Sequence, residues 1–221
     1  MSIWTIMILV MLASFIVQAL LQSNFNKYSQ VPLGLTGAQV AEKMLRENGI
    51  SGVRITCIEG QLTDHFDPSQ MSVNLSESVY NGRNVAAAAV AAHECGHVIQ
   101  HATGYAPLRL RSAMVPVVSF ANRTVQWVLL LGIVLINVTP ALLWFGIALF
   151  ALTTFFSLVT LPVELNASQR AIQWLEVTGI TDYETTPMAK TALKWAAYTY
   201  IIAAIGSLAT LFYYIGMARR R

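Results

Sequence analysis

Four apolar runs divide the chain, at residues 3–21, 115–138, 141–161 and 195–217. Each is long enough to cross a hydrocarbon core of about 30 Å as a helix. The first, IWTIMILVMLASFIVQALL, is not preceded by positive residues and is followed by no clean small-x-small site, so it is expected to stay as an anchor. Between it and the second run the periodicity changes. Thr36 is a capping residue for a helix through Arg46 or Glu47 whose apolar stripe is Val40, Ala41, Met44 and Leu45, with Gly49 ending it. Val53–Ile58 alternates in the manner of a strand, residues 61–70 are rich in turn formers, and Met71–Leu75 reads as a short edge strand. Residues 84–103 read as one alanine-rich helix.

The predicted fold is therefore a mainly α membrane protein with about four transmembrane helices and a small α+β unit at the membrane surface. The surface unit spans residues 22–114, and residues 162–194 form a second polar segment before the last span. Thr139 and Pro140 make a tight uncharged turn between the second and third spans, which brings residues 162–194 back to the side of the surface unit.

Composition agrees with this reading and narrows it. Of 221 residues, 55% are hydrophobic and only 11% charged. The mean hydropathy is +0.55, whereas a soluble domain carries roughly twice that charge. A net charge of +3 without basic clusters interleaved with aromatics excludes nucleic acid as a partner. Two cysteines, Cys57 and Cys95, supply no disulfide framework. Lys27, Arg109, Arg111, Arg170, Lys190 and Lys194 flank the spans on the side of the surface unit, against Arg219–Arg221 on the other. That count predicts a cytoplasmic surface unit in a multi-pass cell-membrane protein.

The chemistry is concentrated in AAHECGHVIQH, Ala91–His101. His93 and His97 stand at i and i+4, so a helix puts both imidazoles on one face, as two ligands of a tetrahedral metal require. Glu94 sits beside them, placed to reach a water rather than the metal, in the His-Glu-x-x-His pattern of zinc peptidases. The alanines keep this helix thin, and Gly96 permits close approach of a neighbouring backbone. A catalytic zinc needs a third protein ligand. Glu164 is the foremost candidate, in a helix preset by Pro162 at the membrane surface, with Ser168 one turn on as its support. Glu176, Asp182, Glu184 and His65 are the alternatives. A carboxylate favoured by its own helix N-terminus is the competing explanation for Glu164. His101 is too far along the axis from His93 to share one metal ion and is assigned to a supporting or interfacial position. His65, between Asp64 and Asp67, could orient substrate or merely cap a turn. The Met71–Leu75 strand, with Asn74 in it, is where an extended substrate could pair.

With these residues in view, the chain resembles the YugP-type bacterial membrane zinc metallopeptidases. The resemblance rests on DHFDP at Asp64–Pro68, AAHECGHVIQH, and LPVELNAS at Leu161–Ser168, in that order. It implies a gluzincin-like catalytic unit, one zinc ion per chain, and proteolysis of membrane-associated protein or peptide substrates. Through distant similarity to HtpX and the CAAX prenyl proteases it carries the third-ligand role onto Glu164. Ser168 stands where those relatives have Asp. The expected activity is a zinc-dependent endopeptidase acting on membrane-proximal or unfolded proteins. The rival is a zinc-binding membrane scaffold without turnover. Neither the substrate nor the oligomeric state is readable from the residues.

Overall fold

The computed structural model describes residues 2–219. The protein is mainly α, with helices α1 (Ile3–Tyr28), α2 (Gly37–Glu47), α3 (Glu77–Tyr80), α4 (Val85–Ala102), α5 (Ala106–Val134), α6 (Pro140–Val177) and α7 (Thr185–Arg219). Strands β1 (Arg54–Ile58), β2 (His65–Asp67) and β3 (Ser72–Ser76) form one small sheet. Helices α1, α5, α6 and α7 are each long and apolar enough to cross a membrane. Each extends past its apolar run at one end or both, into polar residues that cost little once the backbone is already hydrogen-bonded, although α5 stops at Val134, short of the end of its run at residue 138. Arg220 and Arg221 lie outside the described residues.

The largest departure from the sequence reading is in α6. Pro162 does not open a new helix at the membrane surface; it lies inside one continuous helix from Pro140 to Val177. An interior proline removes a single ladder bond and costs about 3 kcal/mol, which the packing of α6 against α5, α4 and α7 offsets. Glu164 is therefore in mid-helix, and a favourable helix terminus does not account for its presence.

Helices α5 and α6 form an antiparallel hairpin in which Gly132 lies against the backbone of α6. A Cβ there would fall 2.7 Å from Leu143 Cα. Helix α7 packs on α6 and on α1. The surface unit is built around α4, which buries against α2, the sheet and α6. Thr36 caps α2 through a reciprocal capping box with Gln39, and Val40, Ala41, Met44 and Leu45 are buried as the stripe predicts. Asn84 caps α4 by accepting the Ala87 N–H at 2.9 Å.

The sheet order is β1-β3-β2, with β1 parallel and β2 antiparallel to β3. The strand expected at an edge is thus the central one. Its second neighbour, β2, lies in the stretch that reads only as turns, since three residues are too few to show a periodicity. Val73 and Leu75 of β3 face the core, while Asn74 bridges the strands on the other face. There it accepts from Thr56 Oγ1 at 2.5 Å and contacts His65 Nε2 at 3.2 Å.

Candidate metal centre

Helix α4 presents His93 and His97 one turn apart with their rings edge to face, centroids 4.8 Å apart. Facing them is Glu164 of α6, whose Oε2 lies 3.3 Å from His93 Nε2 and 3.5 Å from His97 Nε2. One donor atom from each residue falls within 4.8 Å of the others. The edges of a tetrahedron around zinc, with bonds of about 2.0–2.1 Å, are about 3.3–3.4 Å, so the His–Glu spacings fit that ion. Glu176, Asp182 and Glu184 are not among these donors; Asp182 instead accepts from Thr185, and Glu184 from the Tyr183 hydroxyl.

The helices can approach this closely because of Gly96. A Cβ at that position would lie 2.6 Å from the Ala167 carbonyl oxygen. Ala167 and Ala171 on α6, and Ala88, Ala89, Ala91 and Ala92 on α4, are completely buried.

Both imidazoles are held from behind. Ser168 Oγ lies 3.0 Å from His93 Nδ1, and Gln100 Oε1 lies 3.1 Å from His97 Nδ1. The Gln100 amide is oriented by its nitrogen, which donates to the Val163 carbonyl at 2.8 Å and to Asn166 Oδ1 at 3.0 Å. Its oxygen must then accept from His97 Nδ1–H, which fixes the ring with Nε2 facing Glu164. Gln100 is fully buried. The sequence reading passed over it, although its i+3 spacing from His97 was an available signal. Burial alone would drive the His97 imidazolium down, but the hydrogen bond and charge of Glu164, with the charge of Glu94, hold its pKa above the ordinary value.

Two more residues reach the site from helices that read as membrane spans or their flanks. Arg111 of α5, which the sequence marks only as a boundary cation, places Nη1 3.5 Å from Glu164 Oε1. Tyr200 of α7 lines both cavities beside the centre together with Glu164. Glu164 thus divides its oxygens, Oε2 toward the histidines and Oε1 toward Arg111.

The centre sits between two cavities. One, of about 450 Å³, is lined by His65, Phe66, His101 and Arg111. The other, of about 200 Å³, is lined largely by apolar residues of α1 and α7, with Leu62 at its rim. Asp64, His93, Glu94, Glu164 and Tyr200 line both. Glu94 is nearly buried, at 7% exposure, so its carboxylate meets whatever enters either cavity.

The remaining candidate residues separate. His65 faces the larger cavity, its Nδ1 2.8 Å from the Thr63 carbonyl. His101 lines the same cavity and stacks edge to face on Phe66 at 5.8 Å, away from the donor cluster. Asn74 is not in the cavity lining but holds His65 from the sheet. Its strand has no free edge for a substrate, because β1 and β2 occupy both sides. Asp67 caps a turn by accepting from Ser69. Asp64 accepts from Ser76 N–H at 2.7 Å, and its burial outweighs those hydrogen bonds and raises its pKa. Cys95 points away from the centre, its thiol toward the Ala41 carbonyl at 3.7 Å, and burial pushes that thiol up.

The profile of the family described as "Putative neutral zinc metallopeptidase" matches residues 3–219, nearly the whole chain. The chain belongs to this family. It is also 42% identical over 204 residues to the "Putative membrane protease YugP" of Bacillus subtilis (strain 168), covering 91% of this chain and 90% of that one. No solved structure matches the chain. Membership of a zinc peptidase family agrees with the nitrogen and oxygen donors gathered at His93, His97 and Glu164, and with the four long apolar helices.

Proposed function

We propose that the protein is a membrane-embedded zinc endopeptidase, holding one zinc ion per chain on His93, His97 and Glu164. The observation that carries this reading is the donor cluster itself: three buried or nearly buried ligand atoms with both imidazoles fixed at Nδ1, beside a carboxylate, Glu94, that opens into the cavities. Zinc held there would supply Lewis acidity, acidifying a water and polarising a substrate carbonyl. The chain's own residues do the rest. Glu94 takes the proton of the attacking water and delivers it to the departing amine nitrogen as the peptide C–N bond breaks. Arg111 engages Oε1 of Glu164, which leaves Oε2 as the oxygen that would hold the metal, and Tyr200 lines the cavities beside it.

An extended substrate has one natural track. The outer edge of β2 is unpaired in the sheet, and His65, Phe66 and Pro68 on or beside that strand line the larger cavity. Membrane-proximal and unfolded chains are the substrates that such a track, set just above an apolar span, can receive. The larger number of cationic residues flanking the spans on this side supports a cytoplasmic site.

The test is a Glu94→Gln protein, purified in detergent and assayed on an unfolded protein such as casein. Cleavage falls by ~10²–10⁴-fold while zinc content stays at about one per chain. Wild-type turnover in this variant would refute the enzyme, and zinc retained with no turnover in either protein would favour the scaffold. For sidedness, Cys57 is exposed and Cys95 buried, so Cys57 is a native reporter. It escapes a membrane-impermeant maleimide in intact cells and reacts after lysis.

A further inference from the structure

We propose that the groove between α6 and α7, on the side of these helices away from the larger cavity, binds an anionic phospholipid. The groove encloses about 470 Å³. Because α6 and α7 run antiparallel, its lining changes character turn by turn. At one end stand Leu165, 46% exposed, and Ile201, which belongs to the apolar run 195–217. One turn outward lie Gln169 and Ala197, then Gln173 and Lys194, and at the outer end Lys190 with Glu176.

An apolar floor that begins in a membrane span and rises to cations has the polarity profile of a phospholipid standing at the bilayer surface. Lys190 and Lys194 are one helical turn apart on the same face, are both exposed, and take no part in the ion pairs among the described residues. The Lys194 ammonium is held 5.4 Å over the Tyr198 ring, and Trp195 packs edge to face on Tyr198 at 5.2 Å. Aromatic rings at this height mark the headgroup level. Glu176 is the one acid in the lining and lies at the outermost turn, beyond Lys194, so a phosphate at the level of Lys194 and Gln173 meets two cations and amide donors. A soluble phosphate ester would satisfy the lysines but leave the Leu165–Ile201 end bare, whereas an acyl chain covers it. The floor of the groove also contains Ser168, whose hydroxyl contacts His93 Nδ1. A bound lipid would therefore sit directly behind one side chain of the metal centre.

The experiment uses the full-length Glu94→Gln protein in nonionic detergent, titrated with phosphatidylglycerol or phosphatidylcholine and read by native mass spectrometry. The readout is independent of turnover. Each lysine near the surface is worth about fivefold in affinity, so Lys190→Gln/Lys194→Gln weakens phosphatidylglycerol about thirtyfold, and Lys190→Arg/Lys194→Arg restores it. Phosphatidylcholine binds the three proteins alike and more weakly than phosphatidylglycerol binds wild-type lysines. Ala197→Phe, which fills the groove without touching charge, also lowers phosphatidylglycerol binding. Equal phosphatidylglycerol binding by the Gln pair and the parent would overturn the proposal, as would equal affinity of the parent for both lipids. Glycerol phosphate binding as tightly as the lipid would overturn the acyl-chain half of it.

Discussion

Helices α1 and α4 are both apolar, yet they are built for different surroundings. Of the 26 residues in α1, only Ile6, Val17 and Tyr28 are buried, and Trp4, Met11 and Phe15 stand 63–73% exposed. Of the 18 residues in α4, 14 are buried, and six of these are alanine and one is glycine. Large side chains suit a helix whose neighbour is fluid hydrocarbon, which adapts to any shape. Small ones suit a helix whose neighbours are other backbones, where fixed contours must match. The second arrangement is what allows polar atoms inside: no buried side-chain nitrogen or oxygen among the described residues lacks a hydrogen-bond partner.

If that contrast is right, substitutions in the α4–α6 contact are costly and those on α1 are not. The largest effect belongs to Glu164→Ala, which removes a donor and leaves Arg111 facing the site unpaired. Zinc affinity falls by more than the ~10–100-fold typical of losing an outer partner, measured by metal content on the purified protein. Gln100→Leu comes next. It frees His97 Nδ1 and removes the hydrogen bond that Gln100 adds to the Val163 carbonyl, so zinc affinity falls within that ~10–100-fold range while the fold persists. Gly96→Val pushes a side chain into Ala167 and lowers stability by about 1–3 kcal/mol, read as a drop in the thermal midpoint in detergent. The smallest change is Phe15→Ala on the exposed face of α1, within about 0.5 kcal/mol. A Phe15→Ala effect as large as that of Gly96→Val would erase the distinction between the two helices.

What the residues disclose unaided follows the range of the interactions. The His93–His97 pair, the Thr36 cap and the α2 stripe are all written within four residues, and each lies where the spacing puts it. Glu164 emerges from counting membrane crossings, a long-range inference made possible by the short hairpin at Thr139. Arg111, Tyr200 and Gln100 are a different case. The first two belong to helices whose sequence speaks only of membrane, and they meet Glu164 through the packing of α5 and α7 on α6. Gln100 is polar in an apolar helix, and only its fixed partners Val163 and Asn166 show why. The same holds for β3, whose central place depends on pairing with β2, a strand of three residues that no local pattern reveals. Pro162 misleads in the opposite direction, since its usual role at a helix start is overruled by the packing along both sides of α6.

The continuity of α6 has a mechanical consequence. Glu164 stands three residues past the apolar run that ends at Leu161, on the same unbroken rod, which places it about 4–5 Å farther along the axis at 1.5 Å per residue. A helix does not stretch, so α6 acts as a ruler fixed in the bilayer at one end and carrying a reactive mark near its middle. The distance of that mark from the end of the apolar run is the same in every molecule, and under the proposed peptidase activity a chain to be cut must bring its own bond to it.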